Sequence, residues 1–288
     1  MIRVLGHIGA WAGLYAVAAL VCLSQLTGTA SLAGYLPRWE AIAVVFLTAT
    51  GVYALDRVKL RDSWMDPADA QAQPERYEFL RQFSRPVRAL AACTLIAAAG
   101  VGLRLSPWAP WVEILAASSV IAYAARPRRE RSRIKDVHWI KNTYVAAGMT
   151  GFVMAASFAS HPVTTWAGAE SLLIAGAILA VRIGFDAAMC DIDDEPSDRQ
   201  FGTETWATRL GGATLWNWTG VVRVALIAAI VAAPLIWHAQ LAWAAAMLLG
   251  MAALRIPRWS RLGEVVDLRF IPEAVIATAC IAALDHLS

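Results

Sequence analysis

Long apolar segments separated by short polar connections run along the whole chain. Nine segments occur, and each is near the ~20 residues that an α-helix needs to cross the hydrocarbon core of a bilayer. They span residues 4–26, 39–55, 86–105, 109–125, 142–160, 165–189, 213–236, 238–254 and 268–287. The pattern predicts an all-α integral membrane bundle of about nine transmembrane helices, forming a single domain over residues 1–288.

The composition supports a membrane protein. Hydrophobic residues make up 58% of the chain and charged residues only 16%, whereas a soluble domain carries about 25% charged residues. A separate soluble domain of ordinary size is therefore excluded. The first apolar segment follows Arg3 and resembles a signal peptide, but its length fits a first transmembrane helix.

The basic residues fall almost entirely on one side of the predicted bundle. Of the 25 Lys and Arg residues, 22 lie at the N-terminus or in the even-numbered connections, with seven each in the connections 56–88 and 126–141. Those near the sixth segment are Arg182, Arg199 and Arg209, and the exceptions are Arg38, Arg104 and Arg223. The positive-inside rule then predicts a cytoplasmic N-terminus and an external C-terminus, and we expect a bacterial inner membrane.

A dense run of carboxylates directly follows the sixth apolar segment. On a helix, Asp191, Asp194 and Asp198 form one stripe, while Asp193 points roughly the opposite way. Acids at the end of a membrane helix are costly unless a cation neutralises them. Aligned carboxylates suit Mg²⁺, which also binds substrate phosphates. The alternative is an acidic loop exposed to solvent.

A second group of carboxylates follows the second apolar segment. Asp62 and Asp66 share a helix face, whereas Asp56 lies off that face and requires a bend or a different role. Both groups fall on the predicted cytoplasmic side. If they face one cavity, they would hold two or three Mg²⁺ ions, whose natural ligand is a diphosphate.

Basic residues before the fifth apolar segment could bind that diphosphate. Lys135 and Asn142 share a helix face, and Lys141 and Arg199 are further candidates. Lys135 and Lys141 could equally be charges that only set the topology. Beside an apolar interior, such a site would ionise an allylic prenyl diphosphate, with metal ions and cations stabilising the charge of the leaving group.

The acidic run that follows the sixth apolar segment resembles a motif of a known family, the UbiA superfamily of intramembrane prenyltransferases. Its pattern is Asp191-Ile192-x-Asp194-x-x-x-Asp198-Arg199-x-x-Gly202-x-x-Thr205, and Leu210-Gly211 follows. Asp62-x-x-x-Asp66 is similar to the end of the family's first motif. Lys135 with Lys141-Asn142 is similar to its basic loop. The sequence departs from the family at Val58 and Cys190, where asparagine is common.

The resemblance implies Mg²⁺-dependent transfer of a prenyl group from a prenyl diphosphate to an unidentified acceptor, an aromatic compound or another lipid or quinone precursor. Catalytic residues would be Asp66, Asp194 and Asp198. Metal ligands would be Asp56, Asp62, Asp66, Asp191, Asp194 and Asp198. Substrate-binding residues would be Lys135, Lys141, Asn142 and Arg199. We expect membrane lipid as a partner and no nucleic acid.

Three other functions fit parts of the sequence. A terpene cyclase of the same superfamily would quench the cation internally, and product analysis without an acceptor would identify it. A cation-binding transporter usually places its carboxylates near the middle of the membrane, whereas these lie at helix ends. A CDP-alcohol phosphotransferase also uses paired aspartates, but the glycine and arginine positions of its signature are missing.

Overall fold

The computed structural model describes residues 2–27, 36–65, 67–124, 138–232 and 262–287, and these ranges contain helices and no strands. The helices in chain order are α1 Ile2–His7, α2 Ala10–Thr27, α3 Trp39–Val58, α4 Pro67–Ala72, α5 Pro74–Gln82, α6 Ser84–Leu105, α7 Ala109–Ala124, α8 His138–Ser160, α9 Trp166–Phe201, α10 Trp206–Leu210, α11 Gly212–Ala232 and α12 Leu262–Leu287. A short 3₁₀ turn, Asp62–Trp64, lies between α3 and α4.

The prediction of an all-α integral membrane bundle is confirmed. In the described ranges, five helices are long and apolar enough to cross a membrane, and two shorter apolar stretches lie in α7 and α12. The described parts of the predicted apolar segments are helical, the first with a break; the eighth, 238–254, lies outside the described residues, as do the last residues of the fourth and seventh.

The first predicted segment is not one continuous helix. Helix α1 ends at His7 and α2 begins at Ala10. Between them Gly9 has φ +84°, a left-handed conformation that side chains with a Cβ rarely adopt. The run 4–26 is uniformly apolar, so hydropathy could not locate this break.

Helix α9 is longer than the apolar run that predicted it and continues through the acidic residues. Its first turn is capped by Thr165, whose hydroxyl accepts a hydrogen bond from the Gly168 amide at 3.2 Å. It ends at Gly202, which has φ +69° and acts as a left-handed cap. Because the helix is continuous to Phe201, the packing of its membrane-spanning part also fixes the directions in which the acidic side chains point.

Helix α2 occupies the centre of the bundle and packs against α3, α8, α9 and α12. Its side chains Leu20 and Leu23 are fully buried, as are Leu179 of α9 and Phe270 of α12. In lipid, close packing of this kind holds helices together. The packing fixes α9, and with it the acidic residues at its end.

Candidate functional site

The acidic face of α9, formed by Asp191, Asp194 and Asp198, turns toward the protein. Asp191 is 3% exposed and Asp198 7% exposed, and Asp194 is half-buried. Asp193 is exposed, because an α-helix turns about 100° per residue. The helix therefore separates Asp193 from its three neighbours, as the spacing predicts.

Two adjacent residues of α8 bind the Asp191 carboxylate. The Lys141 ammonium donates to Oδ1 at 2.6 Å, and the Asn142 amide donates to Oδ2 at 3.2 Å. Hydrogen bonds between charged groups are stronger than those between neutral ones. Lys141 and Asn142, predicted to bind substrate, thus hold a carboxylate and join α8 to α9 in this structure.

The carboxylate of Asp194 lies within electrostatic reach of three cations. These are Lys141 of α8, Arg76 of α5 and Arg57 of α3. The guanidinium of Arg57 lies 4.6 Å from the centre of the Tyr53 ring and donates a hydrogen bond to its hydroxyl. Three helices therefore direct positive charge at one half-buried carboxylate.

Arg76, which lies outside the predicted spans, is almost fully buried. It is 7% exposed, and its ion pair with Asp69 is 3.5 Å long. Burial and the like charge of Arg57 lower the pKa of Arg76 to about 10, so it remains cationic at neutral pH. Its Nε has no hydrogen-bond partner among the described residues.

Sequence reasoning missed Arg57 and Arg76, because it counted both only as charges of the cytoplasmic connection. A signal was available in α5, where Arg76 and Leu80 lie four residues apart on one face. Leu80 is an obvious buried residue, and both are buried in the structure. An arginine on the apolar face of a short helix is an indication of a functional or structural partner.

The first acidic segment of the chain, which contains Asp56, Asp62 and Asp66, is only partly brought to the site. Helix α4 packs against α9, but Asp62 is exposed and pairs with Arg88 of α6. This hydrogen bond and one from Ser84 hold the pKa of the Asp62 carboxyl below its usual range. Asp66, predicted as a catalytic residue and metal ligand, lies outside the described residues.

Asp56 lies away from the acidic face. Its carboxylate accepts a hydrogen bond from the buried ammonium of Lys59 at 2.6 Å. Both residues line a narrow cleft between α3 and α7, together with Trp64, Val120 and Ile121. The sequence left either a bend or a different role for Asp56; α3 ends at Val58, and the described contact of Asp56 is its ion pair with Lys59.

Two other predicted substrate-binding residues gain no support from the described contacts. Arg199 is exposed and donates to Glu195 on the same helix at 2.9 and 3.1 Å. The other carboxylate oxygen of Glu195 accepts the Gly212 amide at 2.9 Å, so this pair caps the start of α11. Lys135 lies outside the part of the chain that the structure describes.

The donor set fits magnesium held jointly with a phosphate ligand, and not a metal cage of its own. Within the described ranges, no three Asp, Glu, His or Cys side chains come close enough together to hold a metal ion. Mg²⁺ commonly takes one or two protein carboxylates, several waters and substrate phosphates. Asp194 and Asp198, with cations around them, match that pattern.

A second charged cluster, the buried network, lies deeper on α9. Its members are Tyr15, Arg182, Asp186, Arg223 and Glu273, from α2, α9, α11 and α12. Asp186, 2% exposed, accepts from Tyr15 at 3.0 Å and from Arg182 at 2.7 Å. Asp186 also pairs with Arg223, and Arg182 donates to Glu273 at 2.5 Å.

The buried network corrects one expectation from the sequence. Arg182 was expected in the cytoplasmic charge that surrounds the acidic stretch, but it lies inside the bundle and is 1% exposed. Asp186 lies one turn further along the same helix, but Glu273 is distant in sequence, so only the folded chain identifies it as a partner. The positive-inside count therefore includes one residue that does not mark the membrane surface.

Comparisons with known proteins agree with this architecture. The UbiA prenyltransferase family model matches residues 79–264. The apo structure of a UbiA homologue from Aeropyrum pernix K1 is similar, with a TM-score of 0.64 and 16% identity over 94% of this chain and 97% of that chain. A structure of digeranylgeranylglyceryl phosphate synthase aligns with a TM-score of 0.53 and 14% identity over 98% of both chains. No curated protein sequence matches. Since the family model covers well over half of its residues, the chain belongs to the UbiA prenyltransferase family.

Proposed function

We propose that this protein transfers a prenyl group from a prenyl diphosphate to an acceptor at the cytoplasmic side of a membrane cavity. The observation that carries the proposal is the arrangement around Asp194. A half-buried carboxylate on the acidic face stands within reach of Lys141, Arg76 and Arg57. Carboxylates suit the metal and cations suit the phosphates of a magnesium diphosphate.

The described residues divide into two roles under this proposal. Asp194 and Asp198 would be the catalytic residues and, with Asp191, would hold Mg²⁺ beside the diphosphate. Bound there, Mg²⁺ would neutralise charge on the leaving diphosphate. Arg57, Arg76 and Lys141 hold the phosphate oxygens, and their charge favours the leaving group as it departs.

Other predicted site residues keep their proposed roles without support from the described contacts. Asp62 and Asp66 remain proposed metal ligands on the first acidic segment, Asp66 also remains a proposed catalytic residue, and Asp56 is a further proposed ligand. Lys135, Asn142 and Arg199 remain proposed substrate-binding residues. Of these, Asn142 is best placed, because it already binds Asp191 beside Lys141.

The buried network argues against a cation transporter. A transporter needs intramembrane carboxylates that exchange their cation. Here Asp186 and Glu273 are each held by arginine, and Asp186 by two arginines and Tyr15. Permanent cations on the same chain already neutralise these carboxylates.

The decisive experiment measures diphosphate release by the protein in nanodiscs across a Mg²⁺ series. Allylic prenyl diphosphates of different chain lengths serve as donors, and products are analysed by mass spectrometry. We expect Mg²⁺-dependent release that requires an acceptor extract. Release with cyclic products and no acceptor would establish a cyclase instead, and no release with any donor would contradict the proposal.

We further propose a bacterial inner membrane location with the N-terminus in the cytoplasm, because 21 of the 25 basic residues lie at the N-terminus or in the even-numbered connections once the buried Arg182 is left out. Single cysteines at Asp69, Arg129 and Arg258 are then labelled only from the cytoplasmic side. Cysteines at Ser160 and Trp237 are labelled from outside. Mixed labelling within the first group would contradict this orientation.

A further inference from the structure

One side chain of α6, Arg88, ties down the loop that leads from α3 to the first acidic segment. Its Nε donates to the Lys59 carbonyl at 2.8 Å, and its Nη2 donates to the Val58 carbonyl at 3.1 Å. Nη2 also bonds the Asp62 carboxylate. The rigid fork of a guanidinium can make all of these bonds in one orientation, whereas a lysine cannot.

The backbone at this point is held in an uncommon conformation. Lys59 has φ +54°, a left-handed value that costs about 1–3 kcal/mol for a residue with a side chain. Its amide closes the last turn of α3 on Leu55 at 2.8 Å, and its side chain is 4% exposed and bound to Asp56. The Val58 carbonyl at the helix end is left for Arg88.

A second anchor lies a few residues further along. After the 3₁₀ turn, Met65 is buried in an apolar cluster with Val58, Leu80 and Val87. Helix α4 begins at Pro67 and packs against α9. The chain between the two anchors is short, so the direction set at Lys59 and Asp62 decides where α4 packs against α9.

We propose that Arg88 is a positioning residue, which holds the first acidic segment against the acidic face of α9 and so sets the affinity for magnesium diphosphate. Arg88 acts through the loop backbone and Asp62. The inference rests on the proposed function, because it assumes a site for magnesium diphosphate. Its test measures binding and does not require turnover.

The test compares Arg88→Gln with Arg81→Gln in nanodiscs. Arg81 is a matched control, because it is exposed and its ion pair among the described residues is with Glu78, at 3.0 Å on its own helix. Binding is measured with Mg²⁺ and inorganic pyrophosphate, and hydrogen exchange is followed over residues 59–69. We expect Arg88→Gln to weaken binding about tenfold, as loss of a residue that orients metal ligands does, and to accelerate exchange. Arg88→Lys, which lacks the fork, should recover only part of the affinity.

Two results would overturn the inference: unchanged pyrophosphate binding, or a loss equal to that of Arg81→Gln. Faster hydrogen exchange over residues 59–69 with unchanged pyrophosphate binding would also overturn it, because Arg88 would then only anchor the loop. If the wild-type protein binds pyrophosphate but releases none from prenyl diphosphates, the proposed function fails while the Arg88 comparison still decides this inference. If the wild-type protein binds no pyrophosphate, both fail.

Discussion

Helix α9 carries two charged clusters, and they solve the problem of charge in a membrane differently. In the buried network, Asp186 and Glu273 are bonded directly to arginines of the same bundle. At the acidic face, the Asp194 carboxylate interacts electrostatically with Lys141, Arg76 and Arg57. No side chain among the described residues donates a hydrogen bond to it. The network pairs its carboxylates with arginines, whereas the contacts of the described residues at the acidic face pair Asp191 with Lys141 and leave Asp194 near cations without a hydrogen bond to them. This difference separates structural charge from charge suited to a ligand.

The largest effect is expected when the network loses one charge. Asp186→Asn keeps the shape of the side chain but leaves Arg182 and Arg223 without their shared carboxylate. Breaking a buried ion pair in this way costs about 3–5 kcal/mol. We therefore expect a markedly lower unfolding temperature in nanodiscs, with little folded protein in detergent.

Asp193→Asn is the matched control for this measurement, because it makes the same chemical change at an exposed position of the same helix. It should leave the unfolding temperature near that of the wild type. If Asp186→Asn unfolds at the same temperature as Asp193→Asn, the network does not stabilise the bundle and the comparison between the two clusters fails.

The second effect concerns activity rather than folding. Asp194→Asn and Asp198→Asn each remove a proposed metal ligand with almost no change of shape. We expect diphosphate release to fall by at least about 100-fold, as on removal of a single group that stabilises developing charge, while the unfolding temperature stays unchanged. Higher Mg²⁺ should restore part of the activity by mass action. Full activity in both variants would mean that the acidic face does not take part in the reaction.

The helices and the acidic face could be predicted from the sequence, because both depend on local patterns. Apolar runs of spanning length located the helices, and the 3.6-residue repeat separated Asp193 from Asp191, Asp194 and Asp198. Contacts between distant residues could not be predicted in this way. The pairing of Lys141 with Asp191 and of Arg182 with Glu273 depends on how helices pack. The break at Gly9 depends on one backbone angle.

A third and smaller effect is expected on the binding affinity for a prenyl diphosphate when Arg76 is replaced. Arg76→Gln removes one of three cations near Asp194, so binding of a prenyl diphosphate should weaken about tenfold, or about 1.4 kcal/mol. Binding of the corresponding prenyl alcohol should change little, because it lacks the phosphates. Arg81→Gln on the exposed side of α5 is the control. Equal weakening for both ligands would mean that Arg76 supports the fold only.

The smallest effect is expected at Asp193, and it tests the geometry on which the other predictions rest. Asp193 adjoins Asp194 in sequence but is exposed, because the helix turns about 100° between them. Asp193→Asn should therefore retain at least about half of the wild-type diphosphate release, a change below ~0.5 kcal/mol, as is usual for surface substitutions. The half-saturating Mg²⁺ concentration should also be unchanged, since no proposed ligand is lost. If Asp193→Asn is as inactive as Asp194→Asn, α9 does not present one acidic face to the site. The comparison between the buried network, whose charges are paired, and the acidic face, proposed to bind the ligand, would then be wrong.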